Sequence, residues 1–177
     1  MVGTDSRNAV QLNTTSAVCP IGESTGKKNI REKKIPVLSC EGACIRGEIA
    51  RLAANIVSRE KSFARGCHGE LITVPESSIA RWIKTAEKVV LIDGCFLRCH
   101  GRIIENIIDR QKLIQFDALS HYNRYTDIFD YEDVPEEERK EVAQSVADRV
   151  IDSLKNHCVE SAISCVKADD QRAGCCG

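Results

Sequence analysis

The chain has 177 residues, 42% of them hydrophobic, and a formal net charge of -1. That length and apolar content predict one domain with tails, and the near-neutral charge excludes a broad nucleic-acid footprint. Only 5% of the residues are aromatic, so the core falls to Ile, Val, Leu and Ala, while ten cysteines are unusual in a chain of this size.

Residues 1–34 are polar and carry no sustained periodicity, which predicts a flexible extension holding Cys19-Pro20 as a surface thiol. The run Gly26-Lys27-Lys28-Asn29-Ile30-Arg31-Glu32-Lys33-Lys34 reads as a solvated linker. Met1-Val2-Gly3-Thr4-Asp5-Ser6-Arg7 shows no basic start followed by an apolar stretch. The longest uninterrupted apolar run, residues 89–92, is too short to cross a bilayer. A cytoplasmic protein with no membrane partner is the expectation. In a reducing compartment, clustered cysteines point to metal or redox chemistry more than to disulfides.

Ile35-Pro36-Val37-Leu38-Ser39 reads as a short buried strand. Ile45, Ile49, Leu52, Ala53, Ile56 and Val57 then recur at helical spacing, predicting a helix over residues 43–59. Either residues 63–66 or residues 71–74 supply a second strand, with Cys67-His68 between them. Pro75-Glu76-Ser77-Ser78 opens a helix with Ile79, Trp82, Ile83 and Ala86 on its apolar face. Val89-Val90-Leu91-Ile92 is apolar on both faces, as in a central parallel strand. A helix over residues 99–110 with Ile103, Ile104, Ile107 and Ile108 inward, and a fourth strand over residues 112–117, follow. Residues 120–134 look irregular. Pro135-Glu136-Glu137-Glu138 starts a last helix with Val142, Val146, Val150, Ile151 and Leu154 on one side.

Strands alternating with helices predict an α/β domain over residues 35–157, a Rossmann-like three-layer sandwich with a mainly parallel four-stranded sheet. Residues 158–177 form a tail bearing Cys158, Cys165, Cys175 and Cys176. That tail suggests a thiol or protein partner, or a handover of metal or persulfide to the main site.

The chemistry concentrates in two turns. Cys40-Glu41-Gly42-Ala43-Cys44 and Cys95-Phe96-Leu97-Arg98-Cys99 are each a Cys-x-x-x-Cys placed where an apolar run stops and a helical pattern begins. Ligands of such sheets bind beyond the carboxyl ends of the strands. Cys40, Cys67 and Cys95 fall at those ends, so distant sulfurs are expected to meet. Exposed N–H groups at helix starts favour thiolates there. The candidate metal ligands are Cys40, Cys44, Cys67, Cys95 and Cys99. His68 is a nitrogen alternative or a supporting group, and Asp93 either accepts bonds from the following turn or supports the ligands. Gly42 and Gly94 are expected to permit tight turns. Arg46, Arg98 and Arg102 are candidates to stabilise thiolates. His100 is expected to point elsewhere, and His121 and His157 read as ordinary residues. Zinc suits such a sulfur-rich site, and an iron–sulfur cluster is the alternative.

At Ile92-Asp93-Gly94-Cys95 the sequence resembles the DGC-domain family, named for that motif and described as zinc-binding on its cysteine pattern. The likeness takes in Cys40-Glu41-Gly42, the lone Cys67 and Cys99, and covers about residues 35–120. It implies metal ligands at Cys40, Cys67, Cys95 and Cys99, with Cys44 beside them. Ala43 followed by Cys44 departs from the family turn, which places its second cysteine one position earlier. The C-terminal helix and tail lie outside the likeness.

A competing reading is enzymatic. Cys40 to Arg46 also fits Cys-x5-Arg and looks like the phosphate loop of low-molecular-weight tyrosine phosphatases and arsenate reductases, with Cys40 as nucleophile and Arg46 as clamp. Glu41 inside the anion loop, Gly47 in place of Ser or Thr, and the lack of an Asp-Pro motif oppose it. No general acid or base stands out, so the balance leans away from catalysis.

Overall fold

The computed structural model describes the backbone of residues 11–170 and the side chains of residues 11–156. In chain order the elements are α1 (Pro20–Arg31), β1 (Ile35–Ser39), α2 (Ile45–Val57), β2 (Phe63–Arg65), α3 (His68–Thr73), α4 (Ser78–Thr85), β3 (Val89–Asp93), α5 (Cys99–Ile104), β4 (Leu113–Asp117) and α6 (Glu136–Asp170). Short 3-10 turns occupy parts of the segment between β4 and α6. The four strands form one parallel sheet in the order β2-β1-β3-β4. This is the expected α/β architecture.

Alternation along the strands sorts the core into two halves. Val37, Val90 and Ile92 face α2 and α6, where Ile45, Ile49, Ala53, Val146 and Val150 are buried. Leu38, Val89 and Leu91 face the other way, onto Leu71, Ile83, Trp82 and Ile104. All of β3 is buried, which is why it reads as an unbroken apolar run. Ser77 caps α4 by accepting the Ala80 N–H at 3.1 Å. Trp82 is anchored by donating its indole N–H to the Lys34 carbonyl at 2.8 Å.

The structure corrects several expectations. A helix, α1, stands where a flexible extension was expected. It is held by close backbone approach and a carboxylate rather than by an apolar stripe. A Cβ on Gly26 would lie 2.3 Å from the Ser78 carbonyl carbon. Glu23 accepts both the Ser78 N–H (2.5 Å) and the Ser78 hydroxyl (2.8 Å). Those bonds hold its carboxyl below the usual range. Upstream, the Thr15 N–H donates to the Thr73 carbonyl at 2.9 Å.

Of the two options for the second strand, residues 63–65 form it, and Leu71 belongs to α3. The helix after β3 ends at Ile104, six residues early, and Ile103 is exposed rather than inward. Asp109 caps the short 3-10 turn Arg110–Lys112 ahead of β4 by accepting the Gln111 N–H at 2.9 Å. Helix α6 continues to Asp170, through the first part of the expected tail. The side chains of Cys158 and Cys165, and all of Cys175 and Cys176, lie outside the described residues. No described helix is long and apolar enough to cross a membrane.

Candidate metal centre at the carboxyl edge of the sheet

The connection leaving β1 runs to β2 on one side, and the one leaving β3 runs to β4 on the other. The crevice between β1 and β3 is therefore the switch point where such sheets receive ligands. Both cysteine turns flank it. The Cys40 N–H donates to the Ile92 carbonyl at 2.9 Å, carrying the β1–β3 pairing one residue into the first turn. The Ser39–Ile92 register then sets Cys40 level with Asp93. On the other flank, the Gly66 N–H donates to the Val37 carbonyl at 3.0 Å. Continuing the Val37–Arg65 register sets Cys67 level with Ser39.

Glycines fasten these turns to one another. A Cβ on Gly94 would lie 2.9 Å from the Arg46 carbonyl and 3.0 Å from the Gly47 nitrogen. A Cβ on Gly47 would lie 2.2 Å from the Gly42 carbonyl oxygen. The second cysteine turn thus rests on the first turn of α2, which rests on the first cysteine turn. No described glycine has a positive φ, so Gly42 and Gly94 are not there for left-handed backbone. At Gly94 the requirement is close approach instead.

The described cysteines are free thiols. Cys40, Cys44, Cys67 and Cys95 are partly buried, whereas Cys19 and Cys99 are exposed. Cys40 Sγ accepts the Gly42 N–H at 3.3 Å. Cys44 immediately precedes α2, and Cys67 immediately precedes α3. Among the described residues, no three His, Cys, Asp or Glu side chains already converge as a metal-holding group. The donors still fit zinc in kind, and the turns that bear them are adjacent.

A polar cluster lines the same edge. Arg65 donates to the Val37 carbonyl (3.0 Å), the Asn55 amide oxygen (2.9 Å), the Ser39 hydroxyl (2.5 Å) and Glu41 Oε1 (3.0 Å). Ser39 also donates to Glu41 Oε1 at 2.9 Å. That carboxylate oxygen lies 3.9 Å from His68 Nδ1. Burial above all, then the neighbouring His100 and Arg65, push His68 down to about 4, against the opposing pull of Glu41. His68 is therefore neutral at pH 7. Its Nε2 is buried without a partner among the described residues.

The sequence misplaces His100. The residue turns inward: its ring centroid is 5.0 Å from that of His68, and its Nδ1 accepts the Glu41 N–H at 3.4 Å. Cys99, expected among the ligands, is the exposed member of the pair. Arg98 adopts a left-handed conformation (φ 50°) just before α5, and this reorients the short helix.

The proposed arginines go elsewhere. Arg46 donates to the Thr126 carbonyl at 2.6 Å and pairs with Asp127. The clamp needed by the Cys-x5-Arg reading is thus engaged with residues 126–127. Arg98 pairs with Glu105, and Arg102 is exposed. Arg65 is the arginine at the edge, and nothing local in the sequence marks it. Tyr122 is a further unforeseen neighbour. Burial pushes its hydroxyl up to about 12, with Cys44, Asp117 and Cys95 adding to the rise and Arg46 opposing it.

Asp93 bonds to the start of α5, and its Oδ2 is buried without a partner among the described residues. Its Oδ1 accepts the Gly101 N–H at 3.2 Å, anchoring the start of α5. Burial raises its carboxyl above the usual range, against the pull of that bond and of Arg98. A Cβ on Gly101 would crowd Asp93 Oδ2 at 2.7 Å. In Asp93-Gly94-Cys95, then, the first residue anchors α5, the second rests on α2, and the third carries the thiol.

The family model of the DGC domain matches residues 36–153. The chain belongs to the DGC-domain family. The match runs beyond residue 120 and takes in most of the α6 residues that bury against α2, so the last helix is part of the family unit. No curated protein and no solved structure matches the chain. In this DGC domain a cavity of about 430 Å³ opens at the opposite, amino end of the sheet, between Asn29, Lys34, Trp82 and Lys88. None of the candidate cysteines lines it.

Proposed function

We propose that this DGC domain binds one zinc ion through thiolates at the carboxyl ends of β1, β2 and β3. Cys40, Cys67 and Cys95 are the principal ligands, with Cys44 and Cys99 flanking them. The observation that carries the reading is the contact between the two cysteine turns. The Cys40 N–H bonds to β3, and Gly94 lies against the first turn of α2. Cysteines 55 positions apart in sequence thereby stand in adjoining turns, which supports the reading. Soft, four-coordinate sulfur sites favour zinc, and such an ion supplies thiolate stabilisation and a fixed charge at this edge.

The role we assign is metal handling or sensing, or thiol redox, in a reducing compartment such as the cytoplasm. Free thiols at the strand ends suit that setting. The C-terminal cysteines supply a route for a thiol or protein partner. Elemental analysis and an absorption spectrum of protein purified without oxygen test the proposal. One zinc per chain with a featureless visible spectrum is the expected result. Iron with sulfide-to-iron charge-transfer bands would replace zinc by an iron–sulfur cluster. No metal at all would remove the proposal.

A further inference from the structure

We infer that the fourth ligand is not a cysteine but Nε2 of His68, oriented by Glu41. This rests on the zinc reading above and goes beyond it by naming a nitrogen donor and the group that aims it.

The two ring nitrogens of His68 stand in different surroundings. Glu41 Oε1 is fixed by Arg65 and Ser39 and lies on the Nδ1 side of His68 at 3.9 Å. A carboxylate accepts and cannot donate, so its position on that side favours the tautomer with the proton on Nδ1. Nε2 is left as a bare acceptor. The His68 side chain is only 12% exposed, and Nε2 has no hydrogen-bond partner among the described residues. A buried acceptor without a partner is costly, and a metal ion removes that cost. Carboxylate, imidazole and metal in series is a recurrent way of aiming a histidine ligand. His68 also follows Cys67 directly, at the end of β2, on the same edge as Cys40.

His100 does not qualify. Its Nδ1 accepts the Glu41 N–H, so its own proton sits on Nε2 and no lone pair is free. It packs edge-on against His68, at 76° between ring planes, and walls that side of the site. Cys99 is exposed, whereas His68 presents a buried nitrogen without a partner among the described residues on the same edge as Cys40.

The test is competition for zinc against a chromophoric chelator, with wild type, His68→Ala, His68→Cys, Glu41→Gln and His121→Gln compared under anaerobic conditions. Circular dichroism and thermal melts of the metal-free proteins check folding. His68→Ala should weaken zinc binding by at least about 100-fold and Glu41→Gln by about 10-fold, the range set by removing an orienting carboxylate. His121→Gln, at a histidine outside the site, should stay within about threefold of wild type. In cobalt-substituted protein, His68→Cys should restore tight binding and add one thiolate's charge-transfer intensity. That change would not follow from a merely structural role. If His68→Ala folds and binds zinc as tightly as wild type, the nitrogen ligand is wrong while the zinc reading stands. If wild type binds no zinc, both fall.

Discussion

Replacing Gly94 by Ala tests the contact that joins the two cysteine turns. The added methyl would sit 2.9 Å from the Arg46 carbonyl and 3.0 Å from the Gly47 nitrogen, where ordinary contact begins at 3.4 Å. Both neighbours are backbone atoms in the first turn of a buried helix, so neither can rotate away. The β3–α5 turn must retreat from α2 by about 0.5 Å, and overpacking of this kind costs about 1–3 kcal/mol. In a domain of this size each kcal/mol lowers Tm by about 2–4 °C, so a drop of about 2–12 °C is expected. The retreat also carries Cys95 away from Cys40, and zinc affinity should fall with stability. Equilibrium urea unfolding of metal-free, reduced protein measures the first effect, and chelator competition the second. Gly69→Ala is the control, since its methyl would meet only Cys67 Sγ, at an ordinary 3.9 Å. A Gly94→Ala protein as stable and as tight for zinc as wild type would refute the close-approach argument.

Other expectations follow from the same geometry. His68 titrates near 6.5 in the unfolded chain and is pushed down to about 4 in the fold. The unfolded state therefore takes up a proton first. Stability present above pH 6.5 should be lost as pH falls to 4, by up to about 3 kcal/mol. In urea titrations of metal-free protein, His68→Gln should lack that loss, and an identical acid profile in both proteins would contradict the burial of a neutral ring. Cys99→Ser should keep zinc content and affinity near wild type because the thiol is exposed, whereas Cys40→Ser and Cys95→Ser should each lose the ion; equal effects at all three positions would contradict the ligand assignment. Gly26→Val should push α1 off α4, and trypsin should then cut after Lys27, Lys28 or Arg31 much faster than in wild type. Unchanged cleavage would mean that the glycine contact does not hold the helix.

The strands were legible because a parallel sheet covered on both sides needs uninterrupted apolar runs, and Val89-Val90-Leu91-Ile92 is one. Helix α2 was legible too, its apolar spacing ending within two residues of the observed bounds. Helix α1 was not, because Gly22, Gly26 and Glu23 hold it, and close approach leaves no hydrophobic period to read. The cysteine turns could be placed at strand ends, since β1 and β3 could be. Which side chain of Cys99-His100 turns inward could not, because that depends on the left-handed Arg98. The same holds for Arg65, whose partners lie up to 28 positions away.

Zinc-edge X-ray absorption on anaerobically purified protein tests the shared ion most directly. A first shell dominated by sulfur at about 2.3 Å, lost in Cys40→Ser and in Cys95→Ser alike, is the predicted result. A shell of oxygen and nitrogen alone, or a sulfur shell that survives both substitutions, would contradict it.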